Sequence, residues 1–94
     1  MHFIITCLDR ADACDRRVDN YPAHQAYLET APIRNVISGP IPHETEDRNI
    51  GSHFTVEADS RDQVIEFNRN DPFFKAGVWG EIVIRPFIMR VDNR

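Results

Sequence analysis

The two ends of this chain carry its most restrictive pattern. Residues 2–8 read His-Phe-Ile-Ile-Thr-Cys-Leu, and the last stretch, residues 78–91, carries Ile82, Val83, Ile84, Phe87, Ile88 and Met89. Both are rich in the β-branched and aromatic residues that suit strands. A strand with one wet face alternates apolar and polar side chains, whereas one that is apolar at consecutive positions is covered on both faces. These two segments therefore call for a sheet with a layer on each side. The chain's own helices can supply one layer. The other is expected from a second copy packed sheet to sheet. Size points the same way: 94 residues make one domain, and a domain this short buries only roughly 60–65 % of the surface its unfolded chain exposes.

Between the two ends the elements follow from periodicity and punctuation. Asp9 to Asn20 is polar and charged, and reads as a loop with a short helical turn. Tyr21-Pro22 opens a helix, since proline is tolerated in a first turn where its missing N–H has no intrahelical partner. His24, Tyr27, Leu28 and Ala31 then share one face, and Pro32 stops it. A second strand spans residues 33–41, with Ser38-Gly39-Pro40 as a bulge or strand end. Residues 42–50 form a solvated loop. In residues 51–58, Phe54, Val56 and Ala58 alternate with Thr55 and Glu57, which is a third strand. Ser60-Arg-Asp-Gln63 is a capping box. The helix behind it carries Val64, Ile65 and Phe67, and ends near Asn70 because Asp71 precedes Pro72. The order is β-α-β-β-α-β, a ferredoxin-like α+β fold with an antiparallel sheet and two helices on one face.

Composition narrows the partners. Eleven Lys and Arg against fifteen Asp and Glu leave a formal net charge of −4, so nothing draws the chain to phosphate backbones and no nucleic-acid partner is expected. No apolar run approaches the ~18 residues that span a bilayer, and no membrane partner is expected. The N-terminus lacks a basic segment and a small-residue cleavage site, and reads as a first strand rather than a signal peptide. Cys7 and Cys14 form no C-x-x-C pair; with so few thiols the expected location is the reducing cytoplasm.

The chain has no Gly-rich phosphate loop, no G-x-S-x-G and no H-E-x-x-H. His2, His24, His43 and His53 stand at no metal-ligand spacing from one another, so neither metal nor organic cofactor is expected. His24 is the candidate for chemistry. As the third residue of its helix it would stay neutral, because a helix N-terminus disfavours imidazolium, and a neutral ring is what a general base needs. A carboxylate on its other nitrogen would fix the tautomer. On position alone, a half-buried histidine satisfied by a carbonyl is the commoner role. Asp71 is a candidate carboxylate, although Asp before Pro is ordinary turn chemistry. Arg17 and Arg85 read as surface charges; Arg85 alternates with Val83 and Phe87 and could meet an acid at a dimer interface. Ser38 beside Gly39 could offer a hydroxyl to a ligand or simply end the strand. Phe73, Phe74 and Trp79 read as core, interface or pocket wall.

Taken in order, Arg17, Tyr21-Pro-Ala-His24, Leu28, Gly39-Pro40, Asp71-Pro-Phe73, Ala76-Gly77-Val78 and Arg85-Pro-Phe87 resemble the YCII (YciI-like) family over about residues 2–88. The resemblance implies one domain over residues 1–94 that pairs into a homodimer, a dimeric α/β barrel of the ferredoxin-like type. It implies a His–Asp dyad, which falls on His24 and Asp71. It also implies cofactor-free dehydrochlorination of a chlorinated hydroxyhydroquinone, with a small aromatic or quinol substrate. Arg17, Ser38, Gly39, Pro40 and Phe73 are the expected substrate contacts. The family pattern Arg-Pro-x-His is broken here by Tyr21, which removes a cation. The alternatives are a non-catalytic small-molecule-binding domain, an isomerase or hydrolase on a related cyclic metabolite, and a structural dimer. In a structural dimer His24 would point into packed core with no cavity beside it.

Overall fold

A computed structural model of the chain describes residues 1–94. The elements are β1 (His2–Asp9), α1 (Cys14–Thr30), β2 (Arg34–Pro42), β3 (Asn49–Glu57), α2 (Arg61–Arg69), a single turn α3 (Pro72–Lys75) and β4 (Trp79–Phe87). The strands form one sheet in the order β2-β3-β1-β4 with every neighbour antiparallel. This is the ferredoxin-like α+β arrangement expected from the sequence, with α3 added ahead of the last strand.

Register explains how the core forms. On β1, Phe3, Ile5 and Cys7 point to the helices, opposite Val56, Phe54 and Ser52 of β3 and beside Ile84 and Ile82 of β4. They pack with Val64, Phe67, Phe73 and Val78 into one buried cluster. Successive side chains of a strand face opposite ways, so Ile4, Thr6 and Leu8 lie on the other face, opposite Thr55, His53 and Gly51. That face also carries Val83 and Phe87 of β4 and Ile37 of β2. Ile37 is 52 % exposed and Phe87 39 %, so within one chain the end strands are fully covered on one side only.

Several boundaries differ from the sequence reading. The first helix begins at Cys14 rather than Tyr21, which places Pro22 inside it. The cause is visible in residues 14–20. The one fully buried position of that stretch is Arg17, so the inward face carries a cation where a hydrophobic residue would have signalled a helix. The last strand stops at Phe87, not at residue 91, because Phe87 pairs with His2 at the very start of β1 and no partner lies beyond. Beyond it, the Arg94 guanidinium donates to the Val36 carbonyl at 3.2 Å. Ser38-Gly39-Pro40 is neither bulge nor strand end: β2 runs on to Pro42, with its irregularities at Asn35/Ile37 and Ile41/Pro42. As an edge strand it tolerates proline. The capping box is shifted by one residue at its return bond. Ser60 Oγ accepts from the Gln63 amide at 3.3 Å, while Gln63 Oε1 accepts from Asp59 rather than Ser60, at 2.8 Å.

Candidate active site

His24 lies in the middle of α1, not in its first turn. The helix-terminus argument for a neutral ring therefore does not apply; what sets His24 apart is its surroundings. Those surroundings are a carboxylate and four aromatic rings, of which Tyr21 lies tilted to the imidazole with centroids 6.4 Å apart. Asp71 caps α3, accepting from the Phe73 amide at 2.9 Å. The same carboxylate faces His24 Nδ1 at 2.8 and 2.9 Å. His24 is 7 % exposed and Asp71 1 %. The Phe73 ring stacks on the imidazole with centroids 4.0 Å apart and planes 10° from parallel. Phe54 and Trp79 meet it edge-on. A nitrogen against a carboxylate must carry hydrogen, which assigns Nδ1 as the donor. Nε2 has no partner within the chain, and in the neutral ring it holds a free lone pair. Asp71–Pro72 thus does more than make a turn: the proline starts α3, and the cap holds its carboxylate under His24.

His24 opens on a cleft of about 200 Å³. Arg17, Tyr21, Gln25 and Leu28 line it from α1, Ser38, Gly39 and Pro40 from β2, and Ser52 and Phe54 from β3. A cavity of roughly 150 Å³ holds benzene, so this cleft fits one substituted ring. The cleft also removes the premise of the structural-dimer alternative, since His24 borders open space.

Arg17 is not a surface charge; it is 6 % exposed. Its Nε and Nη2 donate to the two oxygens of Asp9 at 2.6 and 3.0 Å, and Nη2 also donates to Ser52 Oγ at 2.8 Å. The guanidinium carbon lies 4.7 Å from the centre of the Phe73 ring. Nη1 has no partner within the chain. Ser38 is exposed at the rim, where its hydroxyl accepts from Asn35 Nδ2 at 2.8 Å. Phe73 is a correction: it is fully buried and absent from the cleft wall, because it lies behind the imidazole. Trp79 and Phe74 are likewise off the wall, Trp79 buried and Phe74 turned outward. Arg85 is exposed on the uncovered sheet face.

The sequence reading missed Gln25, Leu28, Ser52 and Phe54 as lining residues, and treated Tyr21 only as a departure from pattern. Helical spacing from His24 could have found Tyr21 and Leu28. Nothing local marks Ser52 or Phe54, which arrive through strand pairing. The other histidines lie apart: His2 faces Glu57 at 3.3 Å, His43 faces Glu46 at 3.1 Å, and His53 Nδ1 is 3.1 Å from Thr6 Oγ1. No three His, Cys, Asp or Glu side chains converge anywhere. Beneath the site, burial pushes the Cys7 thiol up to about 12, with Asp71 and Asp9 adding to the rise. Burial also raises the Tyr27 hydroxyl, which donates to the Phe67 carbonyl at 2.8 Å.

A helix-backed antiparallel sheet, with a buried histidine–carboxylate pair opening on a ring-sized cleft, defines a ferredoxin-like α+β domain with one histidine facing its cleft. The chain belongs to the family of the YCII-related domain, which matches residues 1–88. It is 29 % identical over 94 residues to Protein YciI of Escherichia coli O6:H1, spanning 93 % of this chain and 96 % of that protein. Protein YciI of Shigella flexneri matches to the same extent. Among solved structures it is similar to the 5-chloro-2-hydroxyhydroquinone dehydrochlorinase TftG of Burkholderia phenoliruptrix AC1100, in complex with 2,5-dihydroxybenzoquinone. That likeness has 37 % identity and a TM-score of 0.82, over 94 % of each chain.

Proposed function

We propose that this chain is a YCII-type lyase that eliminates halide from a chlorinated hydroxyhydroquinone-type ring, without a cofactor, to give a hydroxyquinone. The observation that carries this reading is His24: Nδ1 is held on Asp71 at 2.8 Å, and Nε2 is unpaired at a cleft the size of one ring. The likeness to a dehydrochlorinase in complex with a quinone supports it.

The chemistry balances without an external oxidant. Two hydroxyl protons leave oxygen, one proton is placed on the carbon that carried chlorine, and chloride departs with the C–Cl bonding pair. Loss of HCl leaves the quinone. His24 Nε2 takes the first proton, and Asp71 stabilises the imidazolium that forms. Arg17 Nη1, from the cleft wall, and Ser38, at its rim, are the donors to the developing ring oxyanion. Gly39 and Pro40 shape the rim. Tyr21 contributes an aromatic wall where a cation is expected from the family pattern.

The test uses 5-chloro-2-hydroxyhydroquinone and follows chloride release and quinone absorbance. His24→Ala is expected to lower turnover by at least about 10²-fold, the lower end of general-base contributions, with the circular dichroism of the folded chain retained. Turnover within threefold of the unmodified chain sinks the proposal. Quinone binding with no chloride released places the chain with non-catalytic binders instead.

The same reading includes a homodimer. Ile4, Ile37, Val83 and Phe87 on the uncovered sheet face are the surface for a second copy. No helix of the chain is long and apolar enough to cross a membrane. Cys7 and Cys14 are unbridged, in keeping with a proposed reducing, cytoplasmic setting.

A further inference from the structure

We infer that Ser52 is a fixed hydrogen-bond donor to an anionic oxygen of the bound ring, preset by Arg17 and Trp79; this rests on the ring-binding reading of the cleft. A serine hydroxyl has one hydrogen and two lone pairs. Ser52 Oγ accepts from Arg17 Nη2 at 2.8 Å and from Trp79 Nε1 at 3.3 Å. Guanidinium and indole N–H groups can only donate, so both lone pairs are committed. The O–H is what remains, and no acceptor within the chain takes it. Ser52 is 3 % exposed and lines the cleft beside Arg17. A buried donor left unmade is costly, and an oxygen of the ligand relieves it.

Direction is the important consequence. A free hydroxyl rotates to suit either a donor or an acceptor. Ser52 cannot turn to accept, so it selects ring oxygens that accept and rejects groups that only donate. A phenolate or quinone oxygen is the best match, since hydrogen bonds to charged groups are stronger and the Arg17 cation stands alongside. When His24 removes a proton, negative charge spreads over the ring oxygens. A donor already aimed needs no reorganisation to receive it. Trp79 is a positioning residue in this scheme; it touches Ser52 and not the ring.

Calorimetric titration of the full chain with 2,5-dihydroxybenzoquinone, an anion at neutral pH, and with hydroquinone, a neutral ring, tests the assignment. Ser52→Ala is expected to weaken the anion by about 10- to 100-fold, the range for a hydrogen bond to a charged group, and to weaken hydroquinone by less than about threefold. Trp79→Phe frees one lone pair and lets the hydroxyl turn. It is expected to weaken the anion by about 3- to 10-fold, with the neutral ring again little changed. Equal weakening of both ligands, or anion binding within threefold of the unmodified chain in either folded variant, overturns the inference. So does failure of the unmodified chain to bind the quinone. If Ser52→Ala does not fold, Trp79→Phe decides alone. Titration reads binding without turnover. Anion binding that depends on Ser52, with no chloride release, refutes the lyase reading and leaves this inference standing.

Discussion

Asp71 serves two donors with one carboxylate, and that double duty can be separated by mutation. Asp71→Asn keeps an oxygen for the Phe73 amide but turns an N–H toward His24 Nδ1. The imidazole must then carry its hydrogen on Nε2, where the proposed base needs a lone pair. Turnover is expected to fall by about 10²- to 10⁴-fold while the chain stays folded; steady-state kinetics beside a thermal melt separates the two effects. Cys7 gives a second residue-scale prediction. Its thiol is pushed up from 9.0 to about 12 by burial, and Cys14 is exposed. Iodoacetamide near pH 8 is expected to label Cys14 and leave Cys7 untouched until the chain unfolds, as read by mass spectrometry. A thiol that ionises less readily when folded stabilises the fold below its unfolded value. That contribution is fully present below about pH 9 and is lost as pH rises from 9 toward 12. An alkaline limb in the unfolding midpoint is the check, and Cys7→Ala should flatten it.

Helix α1 departs most from its sequence expectation, and two substitutions probe why. Arg17 faces Asp9 with both side chains nearly buried. Removing one partner of such a pair strands a charge, so Arg17→Met is expected to destabilise by about 3–5 kcal/mol in urea titration. Replacing both partners with apolar residues should restore most of that. Pro22, inside the helix, withholds an amide from the Val18 carbonyl one turn back. Interior proline costs about 3 kcal/mol, offset in part by its stiffening of the unfolded chain. Pro22→Ala is expected to gain about 1–2 kcal/mol, a rise of about 5–15 °C in Tm for a domain of this size. The elements themselves were largely legible. An unbroken apolar, β-branched run located β1, alternation located β3, and Ser60 and Asp71 marked the ends of α2. What misled was a buried arginine at an inward helical position, which periodicity scores as polar. The turn α3 was invisible because four residues are too few to show a period.

At the scale of the molecule, the sheet is the organising surface. One face holds the helices and the cleft; the other leaves Ile37 and Phe87 half exposed. If a second copy covers it, sedimentation should give a dimer, and Ile37→Glu, by placing a charge in that interface, should yield monomer. A monomeric unmodified chain at micromolar concentration counts against the homodimer. The candidate site also belongs to this scale. It draws on α1, β2, β3 and the cap of α3, and no single segment contains it.

What the sequence determined by itself was local or cumulative. Apolar end strands, capping residues and helical spacing specify the elements and their order, and the ordered motifs from Arg17 to Phe87 specify the family, because each signal needs only neighbours along the chain. His24 also stood out, but for a reason that does not hold: it is no helix-start histidine. Tertiary structure supplied the real one, carrying Asp71 to 2.8 Å from its ring across 47 positions. It also buried Arg17 against Asp9 and set Ser52 between two donors. Those arrangements depend on strand register and helix docking, and a hydroxyl's direction is settled only by the donors that surround it.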